Sequence, residues 1–270
     1  MQTQETVKKP MLQGQRTALV TGASSGIGAA LARQLAADGW NLVLVARNEE
    51  RLERIASDLR RQHAVTVDVL AQDLAQSDSA HRILAWTRQN ERTVDLLVNN
   101  AGAGSSGPVI EADDAVYERL IALNITSLTE LSRLYAADMV RRRQGQILNV
   151  ASTGAYQPGP YTAVYYAAKS YVHSFSLALA EELRGTGVSV SLLCPGATAT
   201  EFSSRAGKAD LTSAMPASQV AYAAVQGLKK QQCLIIPGVS NRIVIILSKV
   251  LPGHWLARMV ARIQKPLLLD

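Results

Sequence analysis

Residues Thr21-Gly22-Ala23-Ser24-Ser25-Gly26-Ile27-Gly28 form a glycine-rich turn between the apolar run Thr17-Ala18-Leu19-Val20 and the alanine-rich, apolar-periodic segment Ala29 to Ala36. The run reads as a buried strand and the segment as a helix. A strand feeding a helix through such a turn aims several backbone N–H groups at one spot, where the helix dipole also favours negative charge. The stretch is a candidate phosphate site. Gly22 permits a sharp turn, Gly26 carries no side chain to block a pyrophosphate, and Gly28 permits close packing of helix and strand. The spacing Gly-x-x-x-Gly-x-Gly departs from the commonest dinucleotide fingerprint. A turn of this kind can also be only a turn, so the rest of the chain decides.

Downstream, apolar runs alternate with helical patterns. Asn41 to Ala46 reads as a second strand, and Asn48 caps a charged helix through Arg61. Val65 to Val69 is a third strand closed by Asp73-Leu74, Ser77 to Gln89 a helix, and Val94 to Val98 a fourth strand running into Asn99-Asn100-Ala101-Gly102. Asp113 to Arg143 reads as two helices meeting near Leu123-Asn124. A fifth strand, Gly145 to Ser152, a helix from about Thr162 to Arg184 and a sixth strand, Val188 to Leu193, broken at Cys194-Pro195-Gly196, follow. Such alternation predicts an α/β fold: a Rossmann-type doubly wound parallel sheet of about seven strands with helices on both faces.

Length and charge set bounds on the function. With 270 residues, 47% of them apolar, the chain suits one domain with a sizeable core. The net charge of +6 is modest and the basic residues are spread out, with a local excess near the C-terminus, so nucleic acid is not the expected partner. Cys194 and Cys233 lack metal-finger or CxxC spacing, which predicts reduced thiols, no metal site and a cytoplasmic location. Residues 1–15 read as a loosely ordered lead-in, 16–238 as the catalytic domain and 239–270 as its helical extension. No apolar run reaches membrane-spanning length.

Three polar residues fall where such a sheet would gather them: Ser152 at the end of the fifth strand, and Tyr165 and Lys169 in the next helix. Open parallel sheets place their sites beyond the carboxyl ends of the strands. Tyr165 and Lys169, four apart, share a helical face. A nearby ammonium favours a phenolate, so Lys169 is expected to lower the pKa of Tyr165 and let it exchange a proton with a substrate oxygen that Ser152 holds. A Tyr-Lys pair at this spacing is also common surface decoration. At the end of the second strand, where an acidic residue would select the ribose 2′-hydroxyl, Ala46 and Arg47 stand instead; this favours NADP(H), unless Arg47 is only a solvated loop cation.

Together these residues resemble the short-chain dehydrogenase/reductases. The resemblance rests on Thr21 to Gly28, Asp73, Asn99 to Gly102, Asn124, Ser152, Tyr165-x-x-x-Lys169 and Pro195-Gly196, and covers roughly Arg16 to Ile236. It implies that Tyr165 is the catalytic acid, that Lys169 lowers its pKa and binds the nicotinamide ribose, that Ser152 orients the carbonyl, and that Asn124 kinks its helix and holds a water joining the lysine to solvent. It further implies that Gly22, Ser24, Ser25, Gly26, Ile27 and Gly28 cradle the cofactor phosphates. Asp73 would meet the adenine amino group beside Leu74, and Asn99, Ala101 and Gly102 would line the adenosine side. Pro195-Gly196 would pass the nicotinamide with Thr198 and Thr200 close by, and Arg47 would match the NADP(H)-preferring branch. The implied activity is hydride exchange between NADP(H) and a small-molecule ketone or secondary alcohol, in a homodimer or homotetramer; the substrate is expected to be apolar or acyl-linked if the apolar tail borders the pocket. The alternative is a non-catalytic nucleotide sensor of the same fold, for which a complete Asn124, Ser152, Tyr165 and Lys169 set would have no use.

Substrate choice is expected in Ala199 to Met215, a lid around the mobile stretch Gly207 to Asp210, before a helix from about Pro216 to Lys229 and a last strand, Cys233 to Ile236. The tail then adds Val239 to Leu251 and a basic amphipathic segment, His254 to Lys265. It is expected to pack on the core or on another subunit and narrow the substrate entrance. A second reading is reversible contact with an anionic membrane through residues 254–265.

Overall fold

The computed structural model describes residues 16–207, 209 and 214–268. The expected lead-in and Lys208 and Asp210 of the expected lid lie outside these residues. Seven parallel strands form the main sheet: β1 (Thr17–Thr21), β2 (Asn41–Ala46), β3 (Val67–Ala71), β4 (Val94–Asn99), β5 (Gly145–Val150), β6 (Val188–Leu193) and, at the far edge, β9 (Leu234–Ile235). Their spatial order is β3-β2-β1-β4-β5-β6-β9. A two-stranded parallel ladder, β7 (Thr198–Ala199) with β8 (Met215–Pro216), lies outside the sheet.

The strand sequences explain the layering. Every residue of β1 and β2 is buried, as required of parallel strands covered on both faces. One face is covered by α1 (Gly26–Ala37), α2 (Glu49–Gln62) and α8 (Ala217–Lys229), whose Leu31, Leu35, Leu52, Val220 and Ala224 pack on Val20, Leu42 and Leu44. The other is covered by α3 (Ser79–Gln89), α5 (Ser127–Arg142) and α6 (Ala163–Glu182), with Ile83, Leu131 and Met139 meeting Leu19, Val43 and Leu97. Strand order reverses between β1 and β4, and this opens the crevice in which doubly wound sheets bind ligands.

Several expected boundaries move. The third strand begins at Val67 rather than Val65, because the Asn41 side chain accepts the Thr66 N–H at 2.8 Å before pairing starts. The helix predicted from Ser77 begins at Ser79, after Asp78 takes a left-handed backbone (φ 61°). Strand β5 ends at Val150, which leaves Ser152 free of the ladder. The last strand keeps only Leu234–Ile235. The long helical region divides as expected: α4 (Asp114–Ile121) and α5 are joined by a π-helical turn, Ala122–Thr126, centred on Asn124. Such a turn inserts a residue into the i→i−4 ladder and bends the axis. The tail forms two helices, α9 (Val239–Val250) and α10 (Gly253–Gln264), joined at Leu251-Pro252. Inside the expected lid is a one-turn helix, α7 (Phe202–Arg205).

Candidate active site

The glycine turn closes the carboxyl end of β1, and a clasp from β4 fixes its shape. Thr21 Oγ1 donates to Val98 O at 3.1 Å and accepts the N–H groups of Asn100 and Ala101, each at 3.0 Å. Asn100 Nδ2 donates to Thr21 O at 2.9 Å and Gly22 O at 3.3 Å. Gly22 has φ +65°, and a Cβ there would lie 2.8 Å from Ala101 Cα; a Cβ on Gly28 would lie 2.2 Å from Gly22 O. Gly28 therefore lets the turn fold onto its own carbonyl and onto Asn100, a more local role than the predicted packing of helix on strand. Sequence reasoning passed over Thr21 and Asn100, although Asn100 stands inside the Asn-Asn-Ala-Gly run it used.

Asn99 was expected on the adenosine side, but its side chain turns into the protein. It is buried and donates to Ser132 Oγ and Asn149 Oδ1, both at 2.9 Å, while Asn149 Nδ2 donates to Ser176 Oγ at 3.0 Å. This polar chain ties β4 and β5 to α5 and α6. It braces the floor beneath the crevice.

Beyond β3 stand Asp73 and Leu74, the pair expected at the adenosine. Asp73 accepts from Arg119 Nη2 at 2.7 Å and from the Ala75 N–H at 3.1 Å. Partial burial alone would raise its pKa, but these hydrogen bonds and the charges of Arg119 and Arg47 outweigh burial and hold the carboxyl below its ordinary range. Arg47 is exposed and near enough to act on Asp73. Leu74 is buried, and its carbonyl accepts Ser79 Oγ at 3.1 Å. Arg51, in the first turn of α2, bonds Glu201 at 2.9 Å, and Glu201 also pairs with Arg205, which reaches Ser25 Oγ at 3.4 Å. This bridge from α2 through α7 to the glycine turn was not foreseen, since it joins segments 150 residues apart.

The catalytic candidates converge at the other end of the crevice. Ser152 caps a short 3-10 turn, Thr153–Tyr156, by accepting the Gly154 N–H at 3.0 Å, and it is hydrogen-bonded to the Tyr165 hydroxyl. The next turn of α6 brings Lys169 Nζ to 5.7 Å from the centre of the Tyr165 ring, where it donates to Val150 O at 3.0 Å. Tyr166 packs on Gly154 and Gly159, where a Cβ would meet its ring at 3.1 and 2.2 Å.

The expectation that Lys169 lowers the Tyr165 pKa is not met. Burial dominates and pushes the phenol upward; the Ser152 hydrogen bond opposes it more weakly. Burial likewise brings Lys169 down to about 8, partly offset by Cys194. The ammonium lies over the ring and bonds a backbone carbonyl, so its field reaches the phenol oxygen only indirectly.

Asn124 completes the group. Its Nδ2 donates to Ala103 O at 2.9 Å and Leu120 O at 3.0 Å, which holds the π-helical turn open. Its Oδ1 is buried without a hydrogen-bond partner. A Cβ on Gly102 would lie 2.8 Å from that oxygen and 3.3 Å from Lys169 Nζ, so the two atoms flank the same glycine. An orphaned acceptor beside a buried ammonium suits a bridging water.

Beyond β6, Pro195 O accepts the Thr153 N–H at 2.9 Å, and Gly196 lies against Asn241 of α9, whose Oδ1 would stand 2.2 Å from a Cβ. Thr198 Oγ1 donates back to Gly196 O at 3.0 Å. Thr200 faces Gly26, its methyl 3.0 Å from a Cβ placed there. Phe202 brings its ring 5.2 Å from that of Tyr165, and Gln264 of α10 donates to the Tyr166 hydroxyl at 3.1 Å. Phe202, Asn241 and Gln264 escaped sequence reasoning because nothing local marks a residue of the lid or the tail as a cleft wall.

The family model described as short chain dehydrogenase matches residues 16–211. The chain belongs to the short-chain dehydrogenase family. This dehydrogenase is 40% identical over 190 residues to the granaticin polyketide synthase putative ketoacyl reductase 1 of Streptomyces violaceoruber, a match covering 70% of each chain. Among solved structures it is similar to a short-chain dehydrogenase from Sphingobium yanoikuyae in complex with NADPH (35% identity, TM-score 0.80, covering 87% of this chain and 93% of that one). It is also similar to the bulky-bulky ketone specific alcohol dehydrogenase from Comamonas testosteroni (31% identity, TM-score 0.76, 93% and 92% covered). The protein is an oxidoreductase that acts on small molecules, built on the fold that the alternation of elements predicts. Among the described residues no helix is long and apolar enough to cross a membrane and no cluster of potential metal ligands occurs.

Proposed function

We propose that the enzyme is an NADP(H)-dependent carbonyl reductase or alcohol dehydrogenase in which Tyr165 is the general acid/base. The observation that carries this reading is the convergence of Ser152 and Lys169 on Tyr165 at the same end of the sheet as the clasped glycine turn. The residues present fit a nicotinamide dinucleotide: the Gly22 to Gly28 turn with Ser24, Ser25 and Ile27 would hold the pyrophosphate, and Asp73 the adenine. Ala101, Gly102, Thr198 and Thr200 would flank the path to Tyr165. The cofactor, when bound, supplies or accepts the hydride.

The chain's own residues manage the proton. Ser152 holds the carbonyl oxygen by hydrogen bonding and keeps the phenol aimed at it. Tyr165, protonated near neutral pH because burial raises its pKa, donates its proton to that oxygen in reduction and takes it back in oxidation. Lys169 fixes the ribose side and offsets charge left on the phenolate. Asn124 Oδ1 seats the water through which the lysine would be reprotonated.

Arg47 supports the preference for NADP(H), since no acidic residue meets the 2′-position and Asp73 already feels its charge. The substrate class is an apolar or acyl-linked ketone. The Phe202 ring beside Tyr165 gives the cleft an aromatic wall, and the relatives are named for ketoacyl and bulky ketone chemistry. We place the enzyme in the cytoplasm, as its widely separated free thiols suggest, and read it as a homo-oligomer for which Val116 and Ile121 of α4 and Leu177 of α6 offer exposed apolar surface. Following NADPH and NADH oxidation against a panel of 3-oxoacyl thioesters and bulky ketones tests the reading. Turnover of at least one class with NADPH preferred is expected. Tight NADPH binding with no turnover of any carbonyl would instead identify a sensor.

A further inference from the structure

We infer that α9 and α10 dock the protein on an anionic lipid surface. Helix α9 touches the core through Asn241, Ile245 and Ser248, whereas Val239, Ile243, Ile246, Leu247 and Val250 stand 53 to 78% exposed. At helical spacing those five residues make one apolar stripe roughly 100° wide, opposite the buried face. Helix α10 repeats the plan. It buries Leu256, Val260 and Gln264 and exposes Trp255, Met259 and Ile263 at 59, 50 and 54%.

Charge selects the occupant. Residues 211–270 contain seven Lys and Arg and a single acid, Asp270, so the whole formal charge of +6 lies there and the preceding 210 residues are neutral. The cations flank the stripes: Arg242 and Lys249 on one side of the α9 face, Arg258, Arg262 and Lys265 on the corresponding side of the α10 face. All five are exposed. An apolar stripe bearing a tryptophan and bordered by cations is the pattern of a helix lying in the headgroup region. A second copy of the chain suits the surface less well, because a two-fold interface sets like cations against each other. Neither helix spans a bilayer, so the contact is peripheral and reversible. Since α9 also packs on the turn after Ser152 and α10 bonds Tyr166, docking would bring the cleft wall to the membrane surface.

The contact is independent of the catalytic reading and is tested without substrate. The full-length protein is sedimented with vesicles of phosphatidylcholine containing phosphatidylglycerol, and with phosphatidylcholine alone. Two variants are compared, R258Q/R262Q/K265Q and I246S/V250S/W255S, with NADPH affinity and circular dichroism showing that each is folded. The wild type is expected to bind the anionic vesicles at least tenfold more tightly than the neutral ones, and less as salt rises. The charge variant should bind about a hundredfold more weakly, and the apolar variant at least tenfold more weakly. Brominated lipid should quench the wild type and not a W255F variant. Three results would overturn the proposal: no binding by folded wild type, equal binding to both vesicles, or self-association abolished in the apolar variant without any lipid binding.

Discussion

The nucleotide side of the crevice and the tail that walls its substrate side are built on opposite plans. Around β1 and β4 the side chains are tied together by hydrogen bonds: Thr21 serves three partners, Asn100 two, and the Asn99 amide nitrogen starts a buried chain through Asn149 to Ser176. The lid segment before α8 and the tail helices α9 and α10 lean on the core through fewer contacts, among them Asn241 on Gly196, Gln264 on Tyr166 and the Ala209 N–H on Leu267 O at 3.0 Å, and leave much of their apolar surface outside. A rigid cradle preorganises a fixed ligand, while a loosely held wall can be reshaped for another substrate at little cost to the fold. Substitutions on the two sides should therefore differ in kind as well as in size.

The largest effect is expected at the cradle. Gly28→Val would drive its Cβ into Gly22 O and the Asn100 amide, so NADPH binding should disappear and stability fall by about 3 kcal/mol. A fluorescence titration and a thermal melt check this; a variant that binds normally would show that the turn is not tightly clasped. Next, Arg47→Asp should move the ratio of NADPH to NADH efficiency at least tenfold toward NADH, with the melting curve unchanged because the side chain is exposed. An unchanged ratio would mean that Arg47 does not read the 2′-phosphate.

Smaller, and carrying a definite sign, is the pH response of Lys169. Its folded pKa of about 8 lies below the ordinary 10.5, so between those values the unfolded chain binds more protons and stability should rise with pH. The cost of burying the ammonium is fully present below pH 8. The gain is of order 1–3 kcal/mol across the window. It should end near pH 10, where the raised phenols of Tyr135, Tyr156 and Tyr165 begin to pull stability down. Denaturation of the ligand-free enzyme from pH 7 to 10 should show this slope, and Lys169→Met should flatten it. The smallest effect belongs to the tail: Gln264→Ala should change KM for bulky ketones by a few fold and leave NADPH affinity alone. A loss of cofactor binding there would erase the contrast between the two sides.

The same contrast governs what could be read in the sequence. The strand-turn-helix unit and the Tyr165 and Lys169 pair were legible because their meaning is local: period, turn chemistry and four-residue spacing within one element. Asn124 at the junction of two helices was legible for the same reason. The Asn100 clasp was not, because it needs β1 and β4 side by side, across 79 residues. Helix α7 and Phe202 were missed because four residues show no helical period, and the lid was expected without internal structure. The pKa of Tyr165 was misjudged since spacing puts Lys169 on the right face but says nothing of burial, which here acts more strongly than the charge.

The account rests on Tyr165 as the group that passes the proton. Turnover of Tyr165→Phe at saturating NADPH, with a carbonyl that the wild type reduces, tests it most directly. The account predicts a fall of about a thousandfold or more in kcat with NADPH affinity within a few fold of wild type. Turnover within tenfold of wild type would contradict it.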